Sequence, residues 1–260
     1  GRIMKTFVKG YFKFLKKSTN QHGVHSPFVF DLVTKCFYDT SNKSEYDTLK
    51  KYRSRLLSNK NTISVTDFGA GSRVFKSNER QVSKIAKTAG ITANREKLLY
   101  RVVSYFKPKN VLEIGTSLGL GTSALALGNL DAKVISLEGC PQTAAIACEN
   151  LKHFNLNNVH VKVGEFTQSF TEIQNQKFDL IYFDGNHQKQ ATLDYFEALL
   201  PTIHNDAVWI FDDIHWSEPM NEAWEIIKNK PEVRVTIDTF QWGFVFFRAE
   251  QQKEHFTIRV

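Results

Sequence analysis

Two short stretches hold the side chains best suited to chemistry: Asp184-Gly-Asn186-His187 and Asp212-Asp213-Ile-His215-Trp216. Carboxylates brought together in a cleft repel one another strongly unless something neutralises them. A hard divalent cation does so, and Mg²⁺ accepts a few carboxylates together with water and substrate oxygens. Asp184, Asp212 and Asp213 are therefore candidate ligands for Mg²⁺ or another divalent cation. A plainer reading stands beside this one, in which one of the paired aspartates caps the next helix or both pair with Lys or Arg. His187 and His215 are candidate bases, because a neutral imidazole suits proton abstraction near neutral pH. Their alternative role is to hydrogen-bond metal ligands.

A third stretch, Val111-Leu-Glu-Ile-Gly115-Thr-Ser-Leu-Gly119-Leu-Gly121-Thr-Ser123, reads as a buried strand, a glycine turn and a helix start. Such a junction cradles nucleotide-type ligands, because glycines admit the backbone closely and open helix amides face the ligand. The spacing G-x-x-x-G-x-G is not the dinucleotide fingerprint. Glu113, two residues before the first glycine, would repel a pyrophosphate but suits ammonium and sulfonium charges. That points to S-adenosylmethionine (AdoMet) rather than NAD(P). Gly115, Thr116, Ser117, Gly119, Gly121 and Thr122 belong to the same candidate cradle. Glu138, twenty-three residues past Gly115, is placed to accept hydrogen bonds from a ribose diol. Gly164-Glu165 is a plausible adenine edge.

These residues need a sheet to carry them. Apolar runs at 111–114, 133–137, 159–163, 178–183 and 207–211 read as strands. They alternate with helices near 122–130, 142–153, 166–173, 188–200 and 218–228. This is the doubly wound, Rossmann-like α/β pattern, in which ligands bind beyond the carboxyl ends of the strands. It ends differently, since 233–238 and 243–248 flank a short turn and read as an antiparallel hairpin. The expectation is seven strands, with 250–260 adding an edge strand or a dimer contact. Trp209, Trp224 and Trp242 read as core or pocket wall, with Trp216 nearest the substrate.

The 260 residues divide into a basic, helical extension over 1–90 that would serve as a lid, and an α/β domain over 91–260. The net charge of +7 is uneven: residues 1–60 hold thirteen Lys/Arg against four Asp/Glu, the remainder twenty-one against twenty-three. Helices are expected over 4–17, from Ser26-Pro27 to about 38, and near 45–57, 80–89 and 93–106. Residues 4–17 combine apolar and lysine faces, which fits docking on the chain's own core, peripheral membrane contact or RNA contact. Val65-Thr-Asp-Phe-Gly-Ala-Gly71-Ser-Arg repeats the glycine pattern superficially but precedes no apolar helix, so it reads as a surface loop or lid. The three cysteines have no metal-type spacing, and no apolar run approaches a membrane span. Met4 is the expected native start, no signal peptide is seen in the sequence, and the cysteine usage leads to the expectation of a reducing cytoplasm.

Taken together, Glu113-x-Gly-x3-Gly-x-Gly, Glu138, Phe178-Asp-Leu-Ile-Tyr-Phe-Asp184 and Phe211-Asp-Asp213 resemble the metal-dependent O-methyltransferases over about 80–248. That class I methyltransferase group includes the catechol and macrocin-type sugar enzymes, and Asp212-Asp213 looks more like the sugar branch. The resemblance implies that Gly115, Ser117, Gly119 and Glu138 hold AdoMet and that Asp184, Asp212 and Asp213 hold the metal. It also exposes a departure. Where catechol-type enzymes place a lysine base this chain has His187, and where the sugar branch places an aspartate it has Asn186. The implied activity is O-methylation of a hydroxyl on a small metabolite, sugar or lipid. The alternatives are a tRNA or RNA methyltransferase gripping RNA through the basic extension, and a non-catalytic AdoMet-binding protein.

Overall fold

A computed structural model describes residues 1–68 and 75–260. The second glycine run, 69–73, with the lid reading attached to it, lies outside the described residues.

The chain forms two compact units, Asp39–Thr171 and a second made of Gly1–Tyr38 with Glu172–Val260. Residues 1–90 are therefore shared between units: the first 38 group with the C-terminal part, and 39–90 with the glycine turn.

In Asp39–Thr171, helix α3 (Glu45–Ser58) leads into an antiparallel hairpin, β1 (Thr62–Phe68) and β2 (Phe75–Gln81). Helices α4 (Val82–Thr88) and α5 (Ala93–Phe106) follow, then β3 (Asn110–Ile114), α6 (Leu120–Gly128), β4 (Lys133–Glu138), α7 (Pro141–His153) and β5 (Val159–Val163). The connecting helices make β3, β4 and β5 parallel neighbours, as crossover connections require. β3 and β4 are almost wholly buried and mostly apolar, whereas β5 has no fully buried residue and exposes His160 and Val163. Thr92 caps α5, its hydroxyl accepting the Arg95 N–H at 3.4 Å.

In the other unit, α1 (Arg2–Lys17) and α2 (Pro27–Leu32) precede the strands. Ser26 caps α2 and Pro27 occupies its first position, as the dipeptide predicts. Helix α8 (Phe166–Ile173) runs across the boundary at residue 171. Then come β6 (Leu180–Phe183), α9 (Lys189–Leu199), β7 (Val208–Asp212), α10 (Glu218–Lys228), β8 (Val235–Asp238), β9 (Trp242–Phe246) and β10 (Glu254–Thr257). β6 and β7 pair in parallel, and β9 lies antiparallel to both β7 and β8. The tail forms β10, parallel to β8, the edge strand expected of 250–260 and an eighth beside the seven strands expected. Aromatic rings fill this unit: Phe183 stacks on Phe211 at 4.2 Å, and Phe196 meets Trp209 edge-on at 5.3 Å. Gly243 gives Trp224 its place, since a Cβ there would approach the indole to 2.5 Å.

Candidate active site

The glycine turn follows from β3. Its last residues run directly into Gly115 and Thr116, whose N–H groups both donate to the Leu137 carbonyl of β4 at 2.9 and 3.0 Å. Three residues then adopt left-handed backbone: Gly115 (φ 97°), Ser117 (φ 50°) and Gly119 (φ 89°). Gly119 is obligatory twice over. Its dihedral disfavours any Cβ, and a Cβ there would collide with the Tyr52 hydroxyl. Tyr52, buried on α3, donates to the Leu118 carbonyl at 2.8 Å and pins the turn. Nothing in the local sequence marks it, because it lies 66 residues upstream. Helix α6 opens at Leu120, two residues earlier than expected, so Gly121 and Thr122 lie in its first turn.

Glu113 is 1% exposed. One of its oxygens accepts hydrogen bonds from the Thr122 hydroxyl and, at 2.6 Å, from Ser136. Ser136 and Thr116 share a further hydroxyl contact of 2.5 Å. Burial pushes the Glu113 carboxyl up to about 8 despite those two donors, with the Glu138 charge adding to the rise. Glu138, at the end of β4, is held by two backbone donors. Ser117 N–H reaches Oε1 at 2.8 Å and Cys140 N–H reaches Oε2 at 2.9 Å. Burial raises its carboxyl while the backbone amides of Cys140, Ser117 and Gly139 oppose the rise. Gly164 is tied to the same strand end, donating to the Glu138 carbonyl at 3.0 Å. Glu165 is exposed and takes up the start of α8, its carbonyl accepting Ser169 N–H at 3.1 Å.

The acidic residues belong to the other unit. Asp184 follows β6, and Asp212 is the last residue of β7. One ligand atom from each of Asp184, His187 and Asp212 falls within 4.8 Å of the others. Asp213, one residue on, turns aside with φ 55° and places Oδ2 3.4 Å from His187 Nε2. The structure therefore groups His187 with two of the three expected carboxylates, and gives the third to His187. Asp212 is further fixed by the Trp242 indole, whose Nε1–H donates to Oδ1 at 3.0 Å. The two residues are cross-strand partners in the β7–β9 register. Trp216 is 44% exposed, its ring 6.4 Å from that of His187. Trp209, Trp224 and Trp242 are fully buried, as expected of core residues.

His215 is engaged at both nitrogens. Nδ1 meets Asn221 Oδ1 at 2.6 Å and Nε2 meets Asp238 Oδ2 at 2.7 Å. Burial works against its charge, but the Asp238 and Asn221 hydrogen bonds and the Asp238 charge outweigh that and raise its pKa. A ring so held braces the β8–β9 turn, with each nitrogen already facing a partner on the chain.

The comparisons agree with this anatomy. Residues 112–214 match the family model described as a methyltransferase domain. A catechol O-methyltransferase from Mycobacterium tuberculosis is 28% identical over 126 residues, which is 48% of this chain and 56% of that protein. The chain thus spans about half the length of the curated relative it matches. Among solved structures, an O-methyltransferase from Bacillus cereus in complex with SAH superposes with a TM-score of 0.54 at 22% identity, covering 80% of this chain and 92% of that one. An SAH-bound methyltransferase from Podospora anserina gives 0.59 at 14% identity, covering 86% and 97%. The fold is the Rossmann-like class I methyltransferase fold, and residues 112–214 are the stretch that is similar to the methyltransferase domain.

Proposed function

We propose that the chain transfers a methyl group from AdoMet to a hydroxyl oxygen of a small metabolite, sugar or lipid, with help from a divalent cation. The observation that carries this reading is the convergence of Asp184, His187 and Asp212 within 4.8 Å.

The residues present fit both groups. Glu138 is immobilised by the Ser117 and Cys140 amides, and its remaining lone pairs suit the vicinal hydroxyls of a ribose. The turn from Gly115 to Gly119 would admit the cofactor close to the backbone, as the glycines of such turns do. Asp184 and Asp212 would hold the cation, and oxygen donors suit Mg²⁺ or Mn²⁺. When bound, AdoMet supplies the electrophilic methyl, and the cation lowers the pKa of the acceptor hydroxyl.

The chain's own residues do the rest. His187, within reach of both carboxylates, accepts the acceptor's proton. Asp213 orients the imidazole and balances the charge it acquires, the role of the third group beside a working base. Trp242 keeps the Asp212 carboxylate in one rotamer. Trp216, exposed beside His187, offers a flat apolar face for the acceptor to lie on.

The test is a methyl-transfer screen with labelled AdoMet over catechols, sugars, lipid hydroxyls and tRNA, each with Mg²⁺, Mn²⁺ or EDTA. The reading expects cation-dependent label on a hydroxyl of a small molecule or lipid. Label that appears only on RNA, or that is indifferent to EDTA, contradicts it.

A further inference from the structure

Helix α1 carries two apolar faces where docking needs one. The first is used: Phe7, Tyr11 and Phe14 surround Phe240 with ring centroids at 5.1, 5.0 and 5.5 Å. The second is Met4, Val8, Phe12 and Leu15, spaced to form one strip at 3.6 residues per turn. Met4 is 70% exposed and Phe12 61%. Beside it, displaced by a single residue, runs a matching row of Lys5, Lys9, Lys13 and Lys16. All four are exposed, Arg2 and Lys17 add to them, and α1 contains no acidic residue.

We infer that this strip and its lysine row bind an anionic lipid surface, with α1 lying in the plane of the headgroups. An apolar strip flanked by lysines has the two components such binding needs: side chains that enter the acyl boundary, and cations that meet the phosphates. Lysine stems reach along the apolar boundary while their ammonium groups stay at headgroup level. RNA satisfies only half of the pattern, since its phosphates engage the lysines and leave the apolar strip in water. A second copy of the chain is also a poor match, because its α1 brings no acidic row to meet the lysines. Among the described residues no helix is long and apolar enough to cross a membrane, so the contact is one of surface binding.

The experiment is flotation of the full chain with phosphatidylcholine vesicles containing about 30% phosphatidylserine, against phosphatidylcholine alone. Wild type should float with the anionic vesicles and lose that binding in high salt. The double variant Val8→Asp/Phe12→Asp should bind at least ~10-fold more weakly, from lost apolar insertion. Lys9→Gln/Lys13→Gln should lose roughly 25-fold, or about fivefold per lysine. All four positions are exposed, so thermal melts of both variants should match wild type. The inference is overturned if wild type stays unbound, or if Val8→Asp/Phe12→Asp floats as wild type does. It is equally overturned if wild type retains tRNA but not vesicles. A dimer in light scattering that Val8→Asp/Phe12→Asp disperses, without vesicle binding, overturns it in favour of a second copy.

Discussion

The two compact units treat their carboxylates in opposite ways. Around the glycine turn, Glu113 is buried and Glu138 half-buried, and each is held by two donors from the chain itself, hydroxyls for one and backbone amides for the other. In the 172–260 unit, Asp184 and Asp212 converge with His187, and Asp213 closes on the same imidazole. The first half is a cradle whose shape comes from backbone dihedrals and internal hydrogen bonds. The second concentrates ionisable side chains, with Asp184, His187 and Asp212 within 4.8 Å of one another. Under the proposed function, recognition falls to the backbone of one unit and chemistry to the side chains of the other, and each can be tested separately.

The largest separation is expected from Asp184→Asn. It should abolish cation-dependent methyl transfer while leaving AdoMet affinity, read by calorimetry, within about twofold. His187→Ala should lower turnover by roughly 10²–10⁴, the usual contribution of a general base. Mn²⁺ affinity should change far less; if it falls as steeply as turnover, His187 is a ligand and not the base. On the cradle side, Gly119→Ala must force a left-handed alanine against the Tyr52 hydroxyl. It should cost about 2–5 kcal/mol of stability in urea titrations. Glu138→Ala should weaken AdoMet roughly 10-fold or more, the loss of a charge-assisted hydrogen bond, with Mn²⁺ binding unchanged. Unaltered AdoMet affinity would discredit the ribose assignment.

A last effect concerns pH. Burial holds the Glu113 carboxyl at about 8, above the 4.5 of an unperturbed glutamate. The folded state therefore keeps a proton that the unfolded chain releases. The resulting stability is complete below about pH 4.5 and is lost as pH rises toward 8. Glu113→Gln, which mimics the protonated form, should flatten that decline in urea midpoints compared between pH 5 and 8. A variant curve parallel to wild type would show that Glu113 ionises freely in the fold.

Much of this was legible along the chain. Strand ends announce themselves where a buried apolar run stops at a carboxylate or glycine, as at Ile114-Gly115, Leu137-Glu138, Phe183-Asp184 and Phe211-Asp212. What the sequence hid depends on register and on distant packing. Trp242 clamps Asp212 only because β9 lies antiparallel to β7 with those two residues opposite each other. Tyr52 braces the glycine turn from a helix that precedes it by 66 residues. The β1–β2 hairpin escaped notice because Phe75–Gln81 is polar and shows no alternation a strand would require. The partners of His215, Asn221 and Asp238, were hidden too, because they lie on other elements. The aromatic and lysine pattern of α1 was plain, but its division into a docked face and a bare one required knowing where Phe240 lies.

The most direct test of the acidic corner is a Mn²⁺ titration of the full chain, followed by electron paramagnetic resonance, for wild type and Asp184→Asn. The account predicts one saturable Mn²⁺ per wild-type chain, and an affinity reduced by more than ~100-fold in the variant, beyond what loss of an outer-shell partner costs. No saturable binding by wild type, or equal binding by the two proteins, would contradict it.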